Sequence, residues 1–291
     1  MKKIRVKLIL PGGGAKGVFQ AGFLYHLCKN YSENFSIESL ECTSAGSING
    51  LMILCGKYDL LMKKWLSFRG VQDIFKPWLK IYLPYVGDII SIIYGFFFKL
   101  GIFSNKELKK ELKETLGKEL FMLPHEKRIK FKCTVLDIEK GETKYVNGMD
   151  KDIIDYVTAS ASPWALANLT EINGKMYSDG GLLDLFPLKN LTKDNENIDL
   201  VVLLGYYRIP RNKKYKNVLD ILVDLIDICR YYTYNQMELD RIIENTENKK
   251  IVLIKNPLID VGFLDFENSN MIKGFKNGIE QGEIFADRYL K

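Results

Sequence analysis

The chain has 291 residues, 47% of them hydrophobic, and a formal net charge of +6. That length supports one large domain or two small ones, and so mild a basic excess favours anionic surfaces without demanding a nucleic-acid partner. Five cysteines (Cys28, Cys42, Cys55, Cys133 and Cys229), odd in number and without a CxxC spacing, argue against a disulfide framework and a cysteine zinc site and fit a reducing cytoplasm.

The predicted elements begin with a strand. Ile4, Val6, Leu8 and Leu10 alternate onto one face, while Arg5 and Lys7 interrupt the apolar run that a signal peptide needs. Residues 17–29 predict a helix, 35–42 a second strand, and 44–58 a helix that opens on small residues and then turns apolar. The span 59–103 is rich in aromatic and aliphatic side chains. Its longest apolar stretch, 89–98, is closed by Asp88 and Lys99 and falls short of the ~20 residues that cross a bilayer. "SNKE" at 104–107 has the spacing of a capping box and predicts a helix over 105–117, with the Ser hydroxyl and Glu carboxylate satisfying free N–H groups.

Residues 129–138 alternate as a strand, 141–148 return as its hairpin partner, and 152–162 predict a helix that stops near Pro163. The unbroken apolar run 198–206 reads as a strand buried on both faces. A long helical pattern covers 218–245, with Asp220, Asp224 and Asp227 on one face; such a row is read as the solvated stripe of an apolar helix, not as a metal site. A strand over 249–257 and a helix over 268–290 close the chain. No repeat, low-complexity tract or linker divides it, so residues 1–291 are expected to form one α/β domain with a largely parallel sheet.

The glycines between the first strand and helix admit two functions. Gly12, Gly14 and Gly17 satisfy G-x-G-x-x-G, the dinucleotide fingerprint, which also wants an acidic residue ending the next strand; Glu38 and Glu41 are the candidates, somewhat late. Alternatively, the N–H groups of Gly12, Gly13 and Gly14 at a helix start converge on an anion, reinforced by Lys16, and form an oxyanion hole. A P-loop is excluded, because Gly17 stands where Ser or Thr must follow the lysine.

An oxyanion hole needs a nucleophile. Cys42-Thr43-Ser44-Ala45-Gly46 is a nucleophile elbow, G-x-S-x-G, with cysteine for its first glycine, and it places Ser44 on a sharp strand-to-helix turn. The Ala45 N–H would join the glycine amides. The two histidines, His26 and His125, lie where no triad would put its base, so surface or packing roles are expected for them. An aspartate serves instead when burial raises its pKa and it reaches the serine. Asp179, followed by Gly180 and Gly181, is held at a turn that lets substrate approach; Asp184 lacks glycine neighbours.

Taken together, G-G-G-x-K-G, x-x-S-x-G and D-G-G resemble the motifs of the patatin-like phospholipases. "TASASPWAL" (158–166), "TVLDIEKGE" (134–142) and "KLGIFSNKELKKEL" (99–112) are similar to further segments of that family. The resemblance runs from about residue 5 to 206 and more loosely to the end. It implies a three-layer α/β/α fold around a central, mostly parallel sheet. It also implies hydrolysis of lipid esters by a dyad of Ser44 and Asp179, with Gly12, Gly13 and Gly14 as oxyanion loop and neither metal nor organic cofactor. A catalytically silent lipid-binding relative, for which Cys42 is the argument, and a dinucleotide-dependent oxidoreductase remain as alternatives. A lipid ester is the expected partner and nucleic acid is not. Peripheral membrane contact is expected through 74–103, which could equally be core, and through 206–217, which has five basic residues and no acidic one. Oligomeric state is left open.

Overall fold

Strand β1 (Ile4–Leu10) forms where the apolar alternation begins, yet every residue from Val6 to Leu10 is buried. One face was expected from the pattern; both are covered because β1 lies inside the sheet and apolar layers close over each side. The structure is a computed structural model that describes residues 2–74, 76–77, 90–91, 94–95, 99, 101–164, 166–188, 197–205, 221, 250–255 and 261–291. The expected helix over 218–245 and the basic run 206–217 lie outside these residues, apart from residue 221.

The other strands of the main sheet are β2 (Phe35–Thr43), β5 (Phe131–Asp137), β6 (Glu142–Asn147), β7 (Thr170–Ile172), β8 (Lys175–Asp179), β9 (Leu200–Gly205) and β10 (Lys250–Lys255). Their order is β10-β9-β1-β2-β5-β8-β7, with β6 also paired to β5. The five strands from β10 to β5 run parallel, whereas β6 and β8 pair antiparallel with β5 and β7 pairs antiparallel with β8. The fold is mixed α/β with a mostly parallel sheet flanked by helices, as the sequence pattern predicts. The hairpin of β7 and β8 was not anticipated. A two-stranded sheet pairs β3 (Lys76–Pro77) with β4 (Phe103–Ser104).

The larger core cluster joins Val6, Leu8, Leu10, Cys42 and Cys133 of the sheet to helices α1 (Gly17–Asn30), α2 (Ala45–Leu54), α3 (Tyr58–Ser67), α4 (Lys106–Met122), α6 (Ile153–Ser160) and α7 (Asn268–Tyr289); the short α5 is His125–Ile129. On the opposite face Ile9, Val201 and Leu203 pack with Phe186 and Leu188. Lys7 and Glu41, each 1% exposed, are buried charges. Glu41 Oε1 stands 3.9 Å from Lys7 Nζ and 3.2 Å from Lys132 Nζ, the pairing without which burial of either charge is prohibitive.

Two local expectations change. The helix expected over 44–58 ends early, at Leu54, and a separate helix, α3, begins at Tyr58 after a turn at Gly56, whose φ of 69° suits a residue without Cβ. The helix expected over 105–117 starts at Lys106 and runs to Met122, and no capping box forms. Ser104 instead accepts the Lys106 N–H at 3.3 Å, and the N-cap residue Asn105 turns its amide to Ser162 Oγ (2.8 Å) and Thr170 Oγ1 (2.9 Å). Tertiary partners have replaced the local cap. No helix among the described residues is long and apolar enough to cross a membrane.

Candidate active site

A strand has two edges, and β5 must serve three neighbours. Strand β6 occupies one edge along Lys132–Asp137. The other edge is shared end to end: β2 arrives parallel and finishes with Thr43 opposite Thr134, while β8 arrives antiparallel and finishes with Asp179 opposite Val135. The two strands therefore run head-on and stop at adjacent residues of β5. Ser44 follows β2 and Asp179 ends β8, so the topology itself sets them against each other. Ser44 Oγ donates to Asp179 Oδ2 at 2.7 Å, and the two residues are 3% and 1% exposed.

Ser44 has φ 55° and ψ −127°, a conformation unusual for a residue with a side chain and sustained only by its surroundings. Its N–H donates to Ser160 Oγ at 2.9 Å, and Ser160 Oγ donates to the Thr134 carbonyl at 2.7 Å. The elbow is thereby tied to α6 and β5 together. Gly46 allows the turn to close, since a Cβ there would lie 2.1 Å from the Leu10 carbonyl oxygen. The cysteine that replaces the elbow's first glycine is accommodated across the turn: the Cys42 Sγ sits 2.5 Å from where a Cβ on Gly50 would be. Cys42 is fully buried, and desolvation pushes its thiol well above the usual range, so it is packing.

Asp179 ends a strand instead of occupying a loop tip. Its Oδ1 accepts the Gly181 N–H at 2.7 Å, which fixes the carboxylate and leaves Oδ2 directed at Ser44. Gly180 permits the reversal, because a Cβ there would meet the Thr134 carbonyl at 2.6 Å. The other acidic candidate, Asp184, is buried too, but its carboxylate takes the Tyr145 hydroxyl.

The glycine loop lies beside the elbow: a Cβ on Gly12 would be 2.8 Å from Ser44 Cβ. The Gly12 N–H, however, donates to the Leu185 carbonyl at 3.0 Å. Gly12 therefore supplies close approach, and the oxyanion reading narrows to the amides of Gly13, Gly14 and Ala45. Gly14 has φ 55°, and a Cβ on it would sit 2.2 Å from the Phe263 carbonyl oxygen; that same carbonyl accepts the Ala15 N–H at 2.9 Å. Lys16 closes the single 3₁₀ turn Gly14–Lys16 and is half-buried.

The acidic residues that a dinucleotide fingerprint requires are engaged elsewhere. Glu41 is held by Lys7 and Lys132. Glu38 pairs with Lys130 and Ser36, which hold its carboxyl below the usual range. His26 packs against Gly282 and Tyr31, and His125 is exposed at the start of α5; neither is described in contact with Ser44.

A cavity of about 380 Å³ opens from Ser44. Ala45, Ile48, Met52, Trp65, Leu112 and Phe266 are among its walls, with Lys64, Glu111 and Lys110 towards its polar side. It is apolar where an aliphatic chain would lie. Most of the aromatic span expected to supply a lid, residues 74–103, lies outside the described residues; among its described residues, Ile74 and Lys76 line this cavity. Three further residues beside the site, Asn49, Gln20 and Trp65, escaped sequence reading; a lone amide inside an apolar run, as in "SINGLMIL" and "GVFQAGFL", is the signal that marks Asn49 and Gln20.

Residues 8–192 match the family described as patatin-like phospholipase. Among solved structures, the chain is similar to the crystal structure of VipD from Legionella pneumophila, with 16% sequence identity and a TM-score of 0.50, over 99% of this chain and 67% of that one. At that identity the likeness concerns the fold. No curated protein matches the chain.

Proposed function

We propose a function from one premise: the chain belongs to the patatin-like phospholipase family, and lipid acyl hydrolysis in general follows from that membership. Within it, Ser44 is the nucleophile and Asp179 its general base, without an intervening histidine. The observation that carries this reading is the 2.7 Å hydrogen bond from Ser44 Oγ to Asp179 Oδ2, buried beside a largely apolar cavity that Ser44 lines.

The chemistry proceeds in two halves. Asp179 takes the hydroxyl proton as Ser44 Oγ attacks the ester carbonyl. The tetrahedral oxyanion is received by the amides of Gly13, Gly14 and Ala45, each such donor being worth about 2.7–4 kcal/mol in the transition state. The proton passes to the leaving alcohol, and the acyl group stays on Ser44. Asp179 then removes a proton from water as its oxygen attacks the acyl-enzyme carbonyl; the Oγ–acyl bond breaks, the fatty acid leaves, and the proton held by Asp179 returns to Ser44 Oγ. The substrate is a carboxylic ester of a membrane lipid whose acyl chain enters the cavity.

The proposal extends to residues 1–291 as one catalytic domain, since Phe263 of the C-terminal part touches the glycine loop. It includes action at the cytoplasmic surface of a membrane, with contact through 74–103 and 206–217. The five basic residues of the latter run would each contribute about 1 kcal/mol near anionic headgroups, and the four described cysteines are free thiols, as suits a reducing compartment.

A fluorophosphonate probe tests the assignment. Wild-type protein is expected to be labelled on Ser44, with labelling lost in Ser44→Ala, and a panel of phospholipids and p-nitrophenyl esters should lose hydrolysis in parallel. Equal labelling of the alanine variant, or ester turnover that survives it, would move the nucleophile elsewhere.

A further inference from the structure

The wall of the cavity and the glycine loop are joined by an uninterrupted line of buried hydrogen bonds. Trp65 Nε1 donates to Asn49 Oδ1 at 2.9 Å. Asn49 Nδ2 donates to the Gly17 carbonyl at 2.9 Å and to Gln20 Oε1 at 3.0 Å. Gln20 Nε2 donates to the Pro11 carbonyl at 3.0 Å. Asn49 and Gln20 are fully buried, and Trp65 is 5% exposed.

The direction of this line is fixed by its first member. An indole N–H donates and cannot accept, so it compels Asn49 to present its oxygen. The Asn49 amide nitrogen then faces Gln20, which must answer with its own oxygen and turn its nitrogen to Pro11. Every amide has one permitted orientation. Pro11 and Gly17 bracket the loop 12–16, so both of its ends are held from the same source. On α2, Asn49 also stands one helical turn after Ala45, the residue that carries the other amide of the proposed cradle.

Packing alone does not call for this arrangement. Burying two primary amides is unfavourable unless they are bonded, whereas a fully connected network fixes one geometry. Trp65 lines the cavity and packs against two aromatic neighbours, Phe68 at 5.6 Å and Phe266 at 6.3 Å.

We infer that Asn49 and Gln20 are positioning residues that carry the placement of Trp65 to the main chain on both sides of the oxyanion loop. An acyl chain filling the cavity thereby improves the alignment of the amides that receive the oxyanion. Long-chain esters then gain in kcat and not only in KM. The inference rests on the acyl-hydrolase reading and adds to it a physical basis for chain-length selectivity.

The test compares p-nitrophenyl butyrate with p-nitrophenyl laurate, with kcat expressed per Ser44 titrated by a fluorophosphonate. Wild type is expected to turn over laurate faster. Asn49→Leu should lower kcat by about 100-fold, the scale of an ångström-sized misplacement, with KM changed less than about threefold. Trp65→Phe keeps the ring face but removes the donor, and should erase the laurate advantage in kcat. Should Asn49→Leu not fold, Trp65→Phe and Gln20→Met, which keeps the volume but can neither accept from Asn49 nor donate to Pro11, decide the matter; Gln20→Met should lower kcat as Asn49→Leu does. A preserved laurate-to-butyrate kcat ratio in Trp65→Phe, unchanged kcat in Gln20→Met, or a loss confined to KM would overturn the inference. A wild-type protein that neither labels nor hydrolyses either ester would instead overturn the hydrolase reading beneath it.

Discussion

Asp179→Asn is expected to lower kcat by about 10⁴-fold, the upper end of what a positioned general base contributes, while the protein keeps its fold. The substitution preserves shape. The amide oxygen can still accept the Gly181 N–H that Asp179 Oδ1 accepts at 2.7 Å. What it presents to Ser44 in place of Oδ2 is an NH₂ group, a donor where a proton acceptor is needed. The hydroxyl must then turn its hydrogen away, and the amide cannot take it. Both halves of the reaction suffer, since the same carboxylate activates Ser44 and later water. Steady-state hydrolysis of p-nitrophenyl butyrate, with a thermal melt as the control for folding, measures the effect. A variant within tenfold of wild type would strip Asp179 of its role.

The largest stability effect is expected where α1 and α7 touch backbone to backbone. A Cβ on Gly278 would lie 2.2 Å from the Phe19 carbonyl oxygen and 2.9 Å from Gly22 Cα, and one on Gly22 would lie 2.1 Å from the Phe275 carbonyl oxygen. Main-chain atoms on both sides leave no flexible side chain to give way. Gly278→Ala gains about 1 kcal/mol of helix propensity, but parting the helices should cost about 3 kcal/mol or more, so the net is a loss of about 2 kcal/mol. The control is Gly117→Ala on α4, where a Cβ would meet nothing within 4 Å; there the propensity term acts alone and about 1 kcal/mol is gained. Urea denaturation of the two variants should shift the midpoint in opposite directions. A stabilised Gly278→Ala would show that the helices part at little cost.

Much of this molecule is legible in its sequence, and the boundary has a physical origin. The alternation in "IRVKLIL", the small residues around Ser44 and the run "LVVLLG" are signals written within a few neighbouring residues, and each became the element expected. The candidates Ser44, Asp179 and the glycines are legible for the same reason: Ser44 and Gly14 sit at positive φ, and Asp179 is marked by the two glycines that directly follow it. The sharing of one edge of β5 by β2 and β8 is not, since it depends on which strands compete for that edge. The same holds for Gly12, whose amide is claimed by Leu185, and for Asn105, whose cap position is set by Ser162 and Thr170. Long-range partners leave no periodicity behind. Asn49 and Gln20 are an intermediate case: their polarity within apolar helices announces burial with a partner, but not which partner.

The sheet order carries a consequence for synthesis. Strand β1 lies between β2 and β9, and its clasp to the latter, the Arg5–Asp199 pair, spans 194 residues. At ~5–20 residues per second, a ribosome needs ~10–40 s to deliver that second neighbour. Throughout this interval the nascent chain can pair β1 with β2, but the opposite row of N–H and C=O groups stays open beside Val6, Leu8 and Leu10, a ready template for another polypeptide. Recovery of native protein during expression should therefore improve with cooling or with a chaperone that shelters the amino-terminal third until translation passes Gly205.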